Sequence, residues 1–285
     1  MTTQVFLIQA HKDLDQLNAL VEQLRDDAFV VYVNLDRKCA LDPAGIHPYA
    51  RQVTRRVDVH WGAFSQVQAA LNALAQIDAE VPAYDKVTFL SAQDFPLLSN
   101  VRLKRAMEQL SGYELLDVIS IGTAPGQWAA EGRYQYFCSD QGPYARELAC
   151  RLVNRMLRTA GRTRRLPGGM QPYGGSSWWA LSQACVRHVL GRVDREPGLV
   201  RFFRYCACPD ELFFQTLIMN SPFARRVLGH NFRYVQWPQD GARHPAILVE
   251  ADFARIAASH AHFCRKLDSR LSAALLPRLL ALRTF

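Results

Sequence analysis

The segment Cys208-Pro209-Asp210-Glu211-Leu212-Phe213-Phe214 places two carboxylates beside a proline, directly ahead of an apolar run. Leu212, Phe213, Leu217 and Ile218 recur at helical spacing. The stretch therefore reads as a helix whose first turn carries both acids, with Pro209 near the first helical position and the acids favoured by the dipole. A carboxylate held rigidly there can accept a proton from a hydroxyl. Taken alone, the pair is better read as stabilising the helix end, and the rest of the chain has to supply the case for chemistry.

Other reactive residue types fall into less telling patterns. The one D-x-D, Asp13-Leu14-Asp15, opens a helical pattern and reads as an N-cap. The cysteines at 39, 138, 150, 185, 206, 208 and 264 contain no C-x-x-C; Cys206-Ala207-Cys208 has no second pair to complete a zinc set. His230, His244, His260 and His262 cluster late in the chain without a ligand spacing, so structural roles and no metal site are expected. Reduced thiols and the absence of a signal-like N-terminus point to the cytoplasm.

The elements that would position these residues alternate in the first 122. Strand-like runs at Val5–Ile8, Phe29–Val33, Lys86–Ser91 and Leu116–Ile121 are interleaved with helical patterns at Leu14–Leu24, Val67–Ile77 and Leu103–Leu110. That order predicts an α/β fold with a mostly parallel sheet, whose ligand edge lies beyond the carboxyl ends of the strands. His11, Asp36 and Asp94 fall on that edge. Neither the dinucleotide fingerprint nor the phosphate loop is present. The second half is less regular, with Gly and Pro clustered at 166–175 and a tryptophan pair at Trp178-Trp179. One composite domain is expected, divided at 122 and 268 into an alternating half over 1–122, a less regular half over 123–268 and a basic, apolar tail over 269–285.

With 285 residues and 49% hydrophobic composition the chain can bury a large core, and no apolar run reaches the length of a membrane span. Lys and Arg number 34 against 26 Asp and Glu, a net charge of +8 that favours anionic partners. Six arginines crowd 151–165 with no interleaved aromatics, which argues for a solvated face or a phosphate-facing loop over nucleic-acid binding. The leucine- and arginine-bearing tail, interrupted by Pro277, reads as a segment that packs on the domain, with peripheral contact to an anionic membrane as the alternative.

Seven segments in order resemble the core-2/I-branching β-1,6-N-acetylglucosaminyltransferases and the peptide O-xylosyltransferases, glycosyltransferase family 14. They are Ala10-His11-Lys12, Tyr32–Lys38 (with Asn34 where a histidine is usual), Trp61–Ala69, Leu90–Leu97, Gly175–Ser182, Pro209-Asp210-Glu211 and Phe263–Asp268. The resemblance implies a GT-A-like fold, with a Rossmann-like nucleotide-sugar-binding half over 1–122 and an acceptor and catalytic half over 123–268. It also implies a UDP-sugar donor with GlcNAc or xylose, inversion at the anomeric carbon, and catalysis without a metal cofactor. By the same resemblance Glu211 is the base, with Asp210 capping the turn or orienting Glu211 and capping preferred. Arg243 and Lys266 bind the diphosphate, with Arg265 as an understudy to Lys266. Asp36, Trp61 and Ala10 hold the nucleotide, Asp94 the donor sugar or ribose, and Glu131, Arg133, Trp178 and Trp179 the acceptor. Strand alternation allows only one of the two tryptophans to face a ligand; Tyr173–Ser176 reads as a flexible loop beside them. The expected acceptor is a glycan or lipid-linked glycan of surface polysaccharide or lipopolysaccharide, met at the inner face of the membrane. The competing readings are an inactive nucleotide-sugar-binding homologue, a basic nucleic-acid-binding protein and a metal-dependent transferase.

Overall fold

Parallel strands buried on both faces form a sheet of continuous apolar runs such as Val5–Ile8 and Val31–Val33. The computed structural model describes residues 2–139, 144–238 and 244–284. Arg243 therefore lies outside the described residues.

In chain order the elements are β1 (Gln4–Ala10), α1 (Leu14–Gln23), β2 (Phe29–Leu35), β3 (Arg51–Gln52), α2 (Phe64–Glu80), β4 (Lys86–Ser91), β5 (Asp94–Pro96) and α3 (Asn100–Gln109). There follow β6 (Leu115–Leu116), β7 (Ile119–Ser120), α4 (Gly132–Gln135), α5 (Tyr144–Thr159), β8 (Tyr173–Gly174), β9 (Trp179–Ser182), α6 (Gln183–Arg195) and α7 (Pro197–Phe203). The chain ends with α8 (Phe213–Met219), β10 (Arg233–Val235), α9 (Phe253–Ala258), β11 (Phe263–Arg265) and α10 (Leu276–Leu282). The expected α/β alternation is present; the single strand expected at 116–121 is two short ones.

Two compact units interleave along the chain. The first comprises residues 1–54, 83–113 and 231–285, the second 55–82 and 114–230. The units do not follow the expected boundaries at 122 and 268, because the chain leaves the first unit twice and returns to it.

In the first unit β3, β2, β1 and β4 are parallel, with Ala10 opposite Leu35 and Gln9 opposite Ser91 at the carboxyl edge. A second, three-stranded sheet runs β10-β11-β5. Behind it Phe95, Leu97, Leu248, Ile256, Cys264, Leu267, Leu275 and Leu279 pack as one cluster. The C-terminal tail belongs to this core. Pro277 opens α10 instead of breaking it, and the buried Arg283 donates to the carbonyls of Pro96, Leu98 and Gln23 and to Asn100. The packing alternative for the tail is the one realised.

In the second unit β6 pairs antiparallel with β9, and β7 with β8. Tyr173-Gly174, expected as flexible loop, is thus the strand β8. Around α8, Phe213 meets Phe64, Phe203 and Phe214 edge-on, and Trp179 packs on Phe214 at a tilt.

Candidate active site

The Pro209-Asp210-Glu211 turn is built differently from the expected helix start. Cys208 adopts a left-handed φ of 45° and sends the chain into a single 3₁₀ turn over Pro209–Glu211. Leu212, at φ −125°, separates that turn from α8. A non-glycine residue in the left-handed region is held by its surroundings. Here Cys208 N–H donates to the Gly62 carbonyl at 2.9 Å, and Glu211 N–H to the Cys208 carbonyl at 3.1 Å. The two acids stand on a rigid projection ahead of the helix rather than within its first turn.

Asp210 does not cap. Its Oδ2 accepts from Ser177 Oγ at 2.7 Å and from Gln66 Nε2 at 3.3 Å, while Oδ1 is closed off from solvent. Burial is the main reason its carboxyl is raised to about 6; the Ser177 bond opposes the rise and the charge of Glu211 adds to it. Gln66 in turn accepts from Gly62 N–H at 2.7 Å through Oε1, tying the Trp61-Gly62 segment to the same carboxylate.

Glu211 Oε2 is paired with the Arg133 guanidinium, and both side chains are about one-third exposed. The Arg133 guanidinium lies 4.2 Å from the centre of the Trp128 ring, a cation–π contact that fixes its plane. Gly175 N–H donates to the Glu211 carbonyl at 3.0 Å, and Gln215 Nε2 to the Ser176 carbonyl at 2.6 Å. The carboxylate that could take a proton is therefore oriented from the side by a cation and from behind by backbone, and remains open to solvent.

In the first unit the carboxyl edge carries a second constellation. Asp36 N–H donates to the Ala10 carbonyl at 2.8 Å, and the buried Asp36 carboxylate accepts from Lys38 Nζ at 2.5 Å and Lys38 N–H at 3.1 Å. Partial desolvation, with the charges of Lys12, Lys266 and Lys38, lowers the pKa of His11; Asp36 opposes them. His11 is thereby favoured as a neutral ring within a cationic edge. Lys266 is half-buried, its pKa lowered by desolvation and by Arg265 and Lys12. Its carbonyl accepts from Leu248 N–H, and the next residue is locked to Gln93 in both directions.

A family model for the Core-2/I-branching enzyme matches residues 5–257. The chain belongs to that family. The chain is also similar to Xylosyltransferase oxt of Drosophila melanogaster, 26% identical over 234 residues, and to Xylosyltransferase 2 of Canis lupus familiaris, 25% identical over 243 residues. These matches cover 79% and 81% of this chain, which spans about a quarter of the length of the curated relatives it matches. The chain also superposes on the apo crystal structure of mouse xyloside xylosyltransferase 1, over 93% of this chain and 97% of that one, with 12% identity and a TM-score of 0.41. That likeness is too loose to carry the α/β assignment, which rests on the sheets themselves.

Within this member of the family several expected residues stand elsewhere than their types suggested. Arg133, expected at the acceptor, is the partner of Glu211; Glu131 stands at the start of α4 without a side-chain cap bond. Trp179 is 1% exposed and packs on Phe214, whereas Trp178 is only half-buried, so of the pair Trp178 alone reaches the surface. Trp61 is 64% exposed, which excludes a core role. Asp94 is fully buried. It accepts from Ser91 N–H at 2.6 Å and sits 3.3 Å from Arg233 and 3.6 Å from Arg265, an internal ion cluster with no face for a sugar. Arg265, 9% exposed, faces the same cluster, whereas Lys266 is half-buried.

Trp128, Ser177 and Gln66 were not singled out by sequence. Ser177 and Gln66 lie inside the family-like segments and were findable there. Trp128, isolated in a loop, gave no signal.

Proposed function

We propose that this chain is an inverting, metal-independent glycosyltransferase that moves a sugar, GlcNAc or xylose, from a UDP-sugar to a glycan hydroxyl, with Glu211 as general base. The observation that carries the reading is the projection of Glu211 from a strained turn, its carboxylate oriented by Arg133 yet open to solvent, in a chain of the Core-2/I-branching enzyme family. In this reading the acceptor O–H gives its proton to Glu211 as its oxygen bonds to the anomeric carbon. The bond from that carbon to the diphosphate breaks, and UDP departs with the electron pair. Charge accumulating on the diphosphate needs a cation. Lys266, with Lys12 and Lys38 on the same edge, supports assigning that role to side chains, as does the engagement of Asp13 as the cap of α1 and of Asp94 with two arginines. Arg243 is proposed beside Lys266, Asp36 and Ala10 at the nucleotide, and Trp61 as a surface on which the base stacks. Glu131 and Trp178 are proposed at the acceptor. The proposed setting is cytoplasmic, in the building of surface polysaccharide or lipopolysaccharide.

The test is calorimetric titration of UDP, UDP-GlcNAc and UDP-xylose in excess EDTA, beside a transfer assay. Glu211→Gln is expected to lower transfer by about 10²–10⁴ and leave UDP affinity unchanged. Lys266→Ala is expected to weaken UDP binding. Binding that appears only on adding Mn²⁺ would overturn metal independence, and undiminished transfer by Glu211→Gln would overturn the base.

A further inference from the structure

The arginine-rich stretch that the active-site reading leaves unused lies on and just after α5, a 16-residue helix about 24 Å long. One face is anchored. Cys150 is buried, and the Asn154 amide clasps the backbone of Phe137, accepting from its N–H at 2.8 Å and donating to its carbonyl at 2.7 Å. Arg158 lies 4.6 Å over the Tyr136 ring, and Arg164 donates to the carbonyls of Tyr136, Phe202 and Tyr205. The orientation of the helix is thus fixed from within the second unit.

The outward face carries Leu148, Leu152 and Met156, 45%, 54% and 63% exposed. Each follows the last by one turn, so they form a continuous line. A single exposed leucine needs no explanation, but three in register on an anchored helix do. Arg151 and Arg155 border the line, and Arg162 and Arg165 lie exposed beyond its end. Glu147, on the same helix, pairs with Arg151. Apolar residues outward with cations along their border is the pattern of a helix that lies in a membrane interface. A nucleic acid would neutralise the arginines and leave the leucines wet. The C-terminal tail, the other basic and apolar segment, is committed to the core through Leu275, Leu279 and Arg283.

We propose that the exposed face of α5 docks this chain on an anionic lipid surface, with Leu148, Leu152 and Met156 entering the interface and Arg151, Arg155, Arg162 and Arg165 meeting the headgroup phosphates. No helix among the described residues is long and apolar enough to cross a membrane, so this contact would be peripheral. The docking stands independently of the catalytic reading.

Flotation of the 285-residue chain with phosphatidylcholine vesicles, with and without roughly 30 mol% phosphatidylglycerol, tests it. Binding is expected to the anionic vesicles, to weaken with added salt, and to fail with the neutral ones. The double variant Leu152→Glu/Met156→Glu should lower vesicle affinity by about tenfold or more. Arg151→Gln/Arg155→Gln should lower it by about thirtyfold. Both should keep the wild-type melting temperature and UDP affinity, since these side chains point away from the fold and the active site. No flotation by wild type, or variants that bind as tightly, would overturn the proposal. So would a wild-type dimer that the Leu152/Met156 variant dissociates with vesicle affinity unchanged. Binding of an RNA oligonucleotide that depends on the arginines and not on the apolar line, with no flotation, would reassign the face to nucleic acid.

Discussion

Arg133 and Glu211, 78 residues apart in the chain, meet as an ion pair against the face of Trp128. A pair this exposed contributes about 0–1 kcal/mol to stability. Its effect is on orientation: the guanidinium holds one carboxylate oxygen, and in the proposed mechanism the other receives the acceptor hydroxyl. Arg133→Ala is therefore expected to lower kcat well before it lowers the melting temperature. Arg133→Lys should fall between, because the ammonium keeps the charge but not the fork or the stack. Steady-state kinetics beside thermal melts check this; a variant that loses stability and keeps kcat would make the pair structural.

Asp210 gives the protein a pH dependence of definite sign. Its carboxyl titrates near 6 when folded and at 3.8 when free, because it is buried. Between those values the native state holds a proton that the unfolded chain has released. Stability should therefore fall as pH rises from about 4 to about 6, and remain lower above, by at most about 3 kcal/mol. Asp210→Asn, which can still accept from Ser177, should flatten this slope and be more stable than wild type at neutral pH. Urea denaturation of both proteins at pH 4.5 and pH 7.5 measures it. Parallel slopes would mean that the carboxyl is not the source.

The alternation of the first 122 residues was legible because apolar runs of β-branched and aromatic residues differ in period from the helical patterns between them. The active turn was legible in place but not in form. Pro209 and two acids read equally well as a helix start and as a separate turn, and the left-handed Cys208 that decides between them has no glycine to announce it. Arg133 and Asp94 show the other limit. An arginine and a carboxylate advertise charge, but the partner that takes it lies 78 residues away for Arg133 and, for Asp94, on strands β10 and β11. Trp179 was resolved correctly only to the extent that strand alternation allows one of two neighbours to face outward.

Arg283 anchors the C-terminal tail through hydrogen bonds to three carbonyls, and Leu279 through burial. Arg283→Met would leave those carbonyls unsatisfied, at about 1–3 kcal/mol. Leu279→Ala should cost about 2–5 kcal/mol through the cavity it opens. Both should lower the denaturation midpoint with little change in kcat at a temperature where the protein stays folded. A loss of kcat without a loss of stability would tie the tail to catalysis instead.

Gly174 is the residue through which packing and chemistry can be separated. A Cβ there would lie 2.5 Å from Trp128 Cζ3 and 2.7 Å from Cε3, atoms of the six-membered indole ring, and 3.2 Å from the Glu211 carbonyl oxygen. The tryptophan must give way, and with it the surface that holds Arg133 against Glu211. Gly174→Ala is thus expected to lower kcat and to alter the near-ultraviolet circular dichroism of a tryptophan. Trp128→Phe removes the clashing atoms yet keeps an aromatic face for the cation. If the clash is the cause, the double variant Gly174→Ala/Trp128→Phe should be more active than Gly174→Ala alone, a coupling that a double-mutant cycle reads directly. Additive effects of the two substitutions would show that Gly174 acts through the backbone of the Glu211 turn and not through Trp128.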